Sequence, residues 1–148
     1  MLVKSNQSSI RIFVPFTNLR APVMLAVPDA TFCPIVDKFY GYGQYFKERW
    51  NEKQTFINIE HDVVPRIELL KEMWNCSEPL CVAGYCSSVE GASGTSHIGC
   101  AKISASLILK SLDLFDTPCE WIECEGRIGA LTDFKFCYHG EVHHLKGT

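Results

Sequence analysis

The sequence lacks the features that mark a membrane or a secreted protein. Its apolar runs are far shorter than the roughly 20 residues that a membrane-spanning helix requires, and the opening MLVKSNQSSIR has no signal-peptide core. We therefore expect a cytoplasmic protein with no membrane span. The sequence also has no excess of basic residues: it contains 14 Lys and Arg and 17 Asp and Glu. Because contacts to phosphate backbones need clustered cations, this balance disfavours a nucleic-acid coat protein or a polybasic membrane binder.

Common catalytic and metal-binding motifs are missing as well. The chain has no GxxxxGK[ST] phosphate loop, no GxGxxG after a strand, no GxSxG elbow and no HExxH pair. Its eight cysteines include no CxxC pair, and the spacing of Cys76, Cys81 and Cys86 fits no common zinc finger. We expect mostly reduced thiols, packed as small apolar side chains. Zinc held by these three cysteines is the less favoured interpretation.

The apolar pattern predicts an α/β fold in a single domain. With 148 residues, 47% of them hydrophobic and 21% charged, the chain is long enough to bury one core. Helical spacing alternates with strand-like runs, which indicates a mixed sheet with flanking helices over 10–148, after a flexible tail over 1–9. The proline-cut segment 21–35 has room for one short strand, and the Gly/Ser-rich segment 87–99 is a candidate flap. Strands are predicted over 10–16, from 56 to 60, over 80–86, over 100–104 and within 134–145, and helices over 39–54, 66–74, 105–115 and 120–133.

The stretch FINIEHDVVP (56–65) ends a buried strand in side chains that bind metals or carry protons. On an extended backbone Glu60 and Asp62 point to one face and His61 points away. Adjacent carboxylates repel each other, and a divalent cation such as Mg²⁺ or Mn²⁺ removes that penalty. The pair follows a strand, and ligands gather outside the carboxyl ends of strands in open sheets. The alternative is a solvated pair at a strand end, with Asp62 capping the next helix.

Two further groups of side chains are candidate partners of this acidic pair. Three histidines lie near the C-terminus, His139 and His144 among them, and an imidazole beside two carboxylates is ordinary metal coordination. The helix predicted over 120–133 carries Glu123 and Glu125, and a carboxylate near a metal is a reasonable base for transfer to a hydroxyl. The alternative for the histidines is a polar surface tail, and the alternative for the glutamates is a solvated acidic helix face.

Several stretches, in this order, resemble a group of short glycosyltransferase-like proteins of phages and actinobacteria, which look like reduced GT-A domains. The matching stretches are VPF in the first strand, FINIEHDVVP, GCAKIS after the Gly/Ser segment, WIECEGRIGAL and the terminal HGEVHHL. The resemblance covers about residues 10–145. Its most specific part is EHDVVP followed by the Gly-Cys-x-Lys-x-Ser stretch and the late His-Leu.

The resemblance implies a reduced GT-A-like fold that binds a nucleotide-sugar, and a metal-dependent, inverting glycosyltransferase activity. In GT-A enzymes an acidic motif, usually Asp-x-Asp, ends a strand and holds Mn²⁺ or Mg²⁺ against the diphosphate of the donor. The matching positions here are Glu60 and Asp62. A late histidine often completes the shell of that metal, and His144 matches best, with His139 second.

The resemblance also implies the remaining site residues. The catalytic base of inverting members corresponds to Glu125, with Glu123 as the second choice. The end of the first strand, Val14, Pro15 and Phe16, corresponds to the region beside the nucleotide base. The implied donor is a UDP- or GDP-linked sugar, and the acceptor is a hydroxyl of unknown origin, on a glycan, a protein or a modified DNA base. A phage origin would place the protein in the host cytoplasm.

The chain departs from the usual GT-A pattern in two ways. Its acidic motif is Glu-x-Asp, and the longer glutamate side chain shifts the metal or binds it through water. The chain is also well short of the usual GT-A length. The shorter length favours the alternative function, a catalytically inactive GT-A-like protein that binds a nucleotide or a partner.

Overall fold

Helices cover both faces of a six-stranded sheet in the computed structural model, which describes residues 9–84 and 98–145. The tail predicted over 1–9 lies outside the described residues, apart from its last residue. The same holds for Cys86 and for most of the candidate flap over 87–99. Within the described ranges, no helix combines the length and the apolar character that crossing a membrane requires.

The strands form one mixed sheet and one small separate ladder. The strands are β1 Ile12–Phe16, β2 Thr31–Pro34, β3 Phe56–Ile59, β4 Val63–Val64, β5 Leu80–Gly84, β6 Cys100–Ile103, β7 Cys137–Glu141 and β8 His143–His144. The main sheet has the order β2-β1-β3-β6-β5-β7, while β4 pairs with β8. Only β6 runs antiparallel to its neighbours in this sheet, so the other five strands end at one edge, called here the carboxyl edge. The predicted mixed α/β sheet is confirmed.

The helices divide between the two faces of the sheet. They are α1 Ala21–Ala26, α2 Gly41–Glu52, α3 Ile67–Asn75, α4 Ala105–Ile108 and α5 Trp121–Ala130. Apolar residues of α1 and α3 pack on one face, and those of α2, α4 and α5 pack on the other. Tyr45, Phe46 and Trp50 of α2 are buried, as the helical spacing predicts. Phe56, Ile57 and Ile59 of β3 are buried too, because the sheet is covered on both sides.

The segment 21–35 contains a helix in addition to the expected short strand. Pro22 lies in the first turn of α1, where a missing backbone N–H has no helical partner to lose. Val23 of this helix is buried against the sheet, and Pro28 follows the helix end. Prolines at both boundaries therefore delimit a six-residue helix that sequence periodicity did not reveal.

Two predicted helices differ from the structure in detail. The apolar spacing of 66–74 predicts a buried stripe of Ile67, Leu70 and Trp74. Leu70 is buried as predicted, but Ile67 is 42% exposed and Trp74 only partly buried, while Leu69 and Met73 are buried with Leu70. The helix predicted over 105–115 ends after one turn. Beyond it the backbone continues in turns, and the carbonyl of Ser111 accepts hydrogen bonds from both the Trp50 indole at 2.9 Å and the backbone N–H of Leu114 at 3.2 Å.

The pairing of β1 with β3 stops before the end of β1, which leaves a gap at the carboxyl edge. β1 pairs with β3 through Ile12 and Phe13, whereas its pairing with β2 continues to Phe16. Pro15, two residues beyond the last β1–β3 pair, has no N–H with which to extend that ladder. The chain passes from β1 to β2 on one side and later to β3 on the other, which makes this gap a topological switch point.

Candidate functional site

A turn, not an extended strand, brings the two carboxylates of EHDVVP to the carboxyl edge. β3 ends at Ile59, and the backbone N–H of Val63 donates to the Glu60 carbonyl at 3.1 Å. The extended backbone expected for Glu60, His61 and Asp62 is therefore wrong, but the turn still brings Glu60 and Asp62 together and leaves His61 outside their group. The suggestion that Asp62 caps the next helix is also wrong, because α3 begins after Arg66 and has no side-chain cap.

The β4–β8 ladder adds a histidine from the far end of the chain. Val63 pairs with His144, and the N–H of Leu145 donates to the Asp62 carbonyl at 2.7 Å. This pairing places Nε2 of His144 3.0 Å from Oδ2 of Asp62. Glu60, Asp62 and His144 each offer one ligand atom, and these atoms all lie within 4.8 Å of one another. We call these three residues the acidic cluster.

The donor atoms of the acidic cluster fit an octahedral divalent cation. Two ligands at right angles on a metal with bonds of about 2.1 Å are separated by about 3.0 Å, and opposite ligands by about 4.2 Å. The 3.0 Å contact between His144 and Asp62 matches the first separation, and the 4.8 Å limit allows the second after a small movement. Two carboxylate oxygens with one imidazole suit Mn²⁺ or Mg²⁺, with positions left for water and substrate.

The pKa of a partly buried phenol, that of Tyr42, is affected by the negative charge of the acidic cluster. Burial raises the pKa of Tyr42 to about 12, and the charges of Glu60 and Asp62 add to the rise. Burial likewise raises the pKa of Cys100 to about 12, with a further contribution from Glu60. Tyr42 therefore keeps its proton at neutral pH and can donate a hydrogen bond. Its ring packs edge-on against Trp121 at 4.6 Å between ring centroids.

The two glutamates proposed as catalytic bases differ in their surroundings. Glu123 is exposed and lies 3.7 Å from Arg127, whose guanidinium also donates to the carbonyls of Leu114 and Thr117. Glu123 thus belongs to a surface ion pair. Glu125 is partly buried and follows Trp121 by four residues, which puts the two on the same face of α5. Neither glutamate contributes a ligand atom to the acidic cluster.

The predicted nucleotide-binding residues Val14, Pro15 and Phe16 form the end of β1. Val14 and Pro15 are buried in the sheet, and only Phe16 is partly exposed at the carboxyl edge. The next backbone N–H, that of Thr17, donates to Nδ1 of His61 at 3.4 Å. This contact bridges the gap between β1 and β3 and holds the EHDVVP turn beside the strand end.

A cavity of about 460 Å³ opens at the neighbouring end of β2. Pro34, the ladder partner of Phe16, lines it, together with aromatic and polar side chains that include Tyr40 and Gln44. The acidic cluster does not line this cavity. The first turn of α2 separates the two: Gly41 and Gly43 border the cavity, whereas Tyr42 between them lies near the carboxylates.

Asn58 and Tyr42 are site residues that the sequence analysis missed. Asn58 is fully buried, accepts a hydrogen bond from the Tyr45 hydroxyl at 2.8 Å and donates to the Ile98 carbonyl at 2.6 Å. It thereby fixes the chain that enters β6 beside the acidic cluster, where Glu60 N–H donates to the Gly99 carbonyl. The sequence did contain a sign of the role of Asn58, because it is a polar residue inside the otherwise apolar run FINI.

His139 does not join the acidic cluster. Its side chain is only 7% exposed and lies on the face of the sheet covered by α3, 3.7 Å from Glu72. There it groups with Cys76, Cys81 and Cys137. His139 belongs to β7, in the main sheet, whereas His144 belongs to β8, which pairs with β4, so the two histidines reach different sites.

Comparison with known proteins does not assign a family. No protein-family model and no curated protein matches the chain. Among solved structures, it is similar to A197 from STIV, known from a crystal structure, with 14% sequence identity, a TM-score of 0.49 and 68% of each chain covered. A similarity this distant carries no argument about function, which rests on the geometry of the site.

Proposed function

We propose that the chain is a metal-dependent, inverting glycosyltransferase with a reduced GT-A-like fold. It transfers a sugar from a UDP- or GDP-linked donor to a hydroxyl acceptor. The observation that carries the proposal is the meeting of Glu60, Asp62 and His144 at the carboxyl edge of a mixed α/β sheet. The resemblance of the EHDVVP stretch and the late His-Leu to short glycosyltransferase-like proteins supports the same function.

The position of the acidic cluster supports a nucleotide-sugar as the ligand. In open α/β sheets, ligands bind outside the carboxyl ends of strands at the switch point, which here is the gap between β1 and β3. Mg²⁺ and Mn²⁺ usually bind through a few carboxylates and bridge to the phosphates of a substrate. The 460 Å³ cavity beyond α2 has the size of a small-molecule pocket and would hold the nucleoside, with Pro34, the ladder partner of Phe16, in its lining.

Each residue of the site has a distinct task in this proposal. A bound cation supplies charge stabilisation for the departing nucleoside diphosphate. Glu60, Asp62 and His144 would hold the cation, while the β4–β8 ladder keeps the histidine at its 3.0 Å distance from Asp62. Tyr42, which stays protonated at neutral pH, would donate a hydrogen bond to a diphosphate oxygen.

Glu125 is the proposed base, and Glu123 the less suitable one. Inversion needs a carboxylate that takes the proton of the acceptor hydroxyl as its oxygen attacks the anomeric carbon. Glu125 shares a face of α5 with Trp121, which contacts Tyr42 beside the acidic cluster. Glu123 is engaged with Arg127 on the exposed side of the same helix.

Calorimetric titration of the Asp62→Asn variant tests the metal-dependent binding. We expect the affinity for UDP or GDP in the presence of Mn²⁺ to fall by about 100-fold or more, because a charged ligand is replaced by a neutral amide. Thermal unfolding should change little, since Asp62 is partly exposed. Asp29→Asn, an exposed aspartate in the turn before β2, is the matched control. Equal Mn²⁺-dependent binding by both variants would contradict the assignment.

Turnover separates the enzyme from a protein that only binds nucleotides. A panel of nucleotide-sugars with Mn²⁺ should give slow donor hydrolysis in the absence of acceptor. Glu125→Gln should lower turnover by at least about 100-fold while leaving donor affinity nearly unchanged, and Glu123→Gln should have little effect. Tight Mn²⁺-dependent binding with no hydrolysis of any donor would favour the inactive binding protein.

A further inference from the structure

Four side chains far from the acidic cluster form a second group of metal ligands. We call them the cysteine cluster: Cys76, Cys81, Cys137 and His139. Cys76 follows the last residue of α3, while Cys81 and Cys137 are register partners near the beginnings of the parallel strands β5 and β7. His139 lies two residues beyond Cys137, so both side chains point to the face that α3 covers.

The spacing of these ligand atoms matches a tetrahedral zinc site. All four lie within 4.8 Å of one another, and the Sγ atoms of Cys76 and Cys137 are 3.9 Å apart. Two thiolates on one zinc ion are about 3.8 Å apart when each Zn–S bond is about 2.3 Å. Three sulfurs with one imidazole nitrogen form an ordinary structural zinc ligand set.

The orientation of His139 independently indicates a ligand. Its Nδ1 lies 3.7 Å from the Glu72 carboxylate. Its Nε2 is buried and has no hydrogen-bond partner among the described residues. A buried, unpaired ring nitrogen is costly, and binding a metal removes that cost. Zinc-bound histidines commonly have a carboxylate near the other ring nitrogen, as Glu72 is here.

A buried lysine supplies the charge that a thiolate-rich site needs. Lys102 of β6 is the register partner of Cys81 and is 2% exposed. Its ammonium donates a hydrogen bond to the carbonyl of Cys76. A buried cation requires nearby negative charge. Three thiolates with one zinc ion carry a net charge of −1, which the Lys102 ammonium balances.

We propose that the cysteine cluster binds one zinc ion as a structural site. The four ligands complete a tetrahedron and leave no open position for substrate, unlike a catalytic zinc centre. The ion would join the end of α3 and the start of β5, which are close in sequence, to β7, which lies more than fifty residues further along the chain. The proposal is independent of the glycosyltransferase activity, because it involves no residue of the acidic cluster.

The main competing chemistry is a disulfide between Cys76 and Cys137. Such a bond requires an oxidant and a contraction of the present 3.9 Å separation to about 2.0 Å. It would leave Cys81 and the Nε2 nitrogen of His139 without a role. A single zinc ion uses all four ligand atoms without oxidation, so the geometry favours the metal.

The test is the metal content of the full chain purified under reducing conditions without chelators. We expect about one zinc ion per chain in the wild type and in Cys33→Ser, a half-buried cysteine outside the cluster. Cys137→Ser should lose the zinc. Replacement of zinc by Co²⁺ should give the absorption bands of a tetrahedral site with three thiolates, a readout that needs no variant.

Two variants of His139 test the zinc proposal even if Cys137→Ser fails to fold. His139→Ala should bind zinc at least tenfold more weakly in competition with a chromogenic chelator, and His139→Cys should restore the binding. Wild-type chain that binds neither zinc nor Co²⁺, or that carries a Cys76–Cys137 disulfide after reductive purification, would overturn the proposal. So would equal zinc affinity in the wild type and His139→Ala.

Discussion

The acidic cluster and the cysteine cluster use different donor atoms in different surroundings. Glu60, Asp62 and His144 are all partly exposed and lie together at the carboxyl edge of the sheet. In the cysteine cluster, Cys81 and the His139 side chain are buried under α3, while Cys76 and Cys137 are partly exposed. Oxygen donors with open positions suit an exchangeable ion that also contacts substrate, whereas a complete set of three sulfurs and one imidazole suits a permanent structural ion.

The charges beside the two clusters follow the same division. Tyr42 stands next to the acidic cluster as a neutral hydrogen-bond donor, so the carboxylate charge remains available to a cation. Lys102 stands next to the cysteine cluster as a buried cation, which compensates a site that is negative even when it holds zinc. The comparison predicts that a zinc ion in the cysteine cluster stabilises the fold, whereas a cation in the acidic cluster takes part in ligand binding.

Removal of zinc should produce the largest effect. We expect a zinc-selective chelator to lower the thermal unfolding midpoint by about 10 °C, because a structural zinc contributes directly to folding and 1 kcal/mol shifts a midpoint by about 2–4 °C at this size. Scanning calorimetry with and without chelator measures the change. Added Zn²⁺ should restore the midpoint and added Mn²⁺ should not; an unchanged midpoint in chelator would contradict a stabilising zinc.

Replacing each histidine in turn by alanine tests whether the acidic cluster and the cysteine cluster are independent. His139→Ala should lower stability and zinc retention while leaving Mn²⁺-dependent binding of UDP or GDP within about twofold of wild type. His144→Ala should weaken that nucleotide binding by about tenfold, or 1.4 kcal/mol, and leave zinc in place. Calorimetric titration and metal analysis of the same samples give both readouts. Equal loss of nucleotide binding in the two variants would show that the division between the clusters is wrong.

Sequence periodicity was sufficient to predict the main helices and strands, but it did not predict α1 or the end of α4. The buried run Phe56–Ile59 and the aromatic face of α2 follow from local pattern alone. The short helix α1 is delimited by prolines instead of by apolar spacing. The chain beyond α4 is held by the Trp50–Ser111 hydrogen bond, which joins residues that are distant in the sequence and that no local pattern pairs.

Strand register explains which site residues were predictable. Glu60 and Asp62 are two positions apart in sequence, so both an extended strand end and the observed turn bring their side chains together. The two histidines look alike in sequence, and only the β4–β8 pairing separates His144 from His139. Cys137 was missed as a partner of Cys81 because their pairing depends on β5 and β7 being adjacent, which no local pattern encodes.

The smallest predicted effect concerns Tyr42 and alkaline pH. Because its pKa is raised from 10 to about 12, mainly by burial, the phenol favours folding below pH 10 and loses that contribution as the pH rises towards 12. The Tyr42→Phe variant lacks the ionisable group, so its unfolding free energy should fall less than that of the wild type over this range, by about 1 kcal/mol at most after solvent screening is considered. Urea unfolding at pH 9, 10 and 11, with the exposed Tyr40 replaced by Phe as control, measures the difference. A parallel pH dependence in wild type and Tyr42→Phe would mean that Tyr42 ionises as readily as an exposed tyrosine and does not stand as a neutral donor beside the acidic cluster.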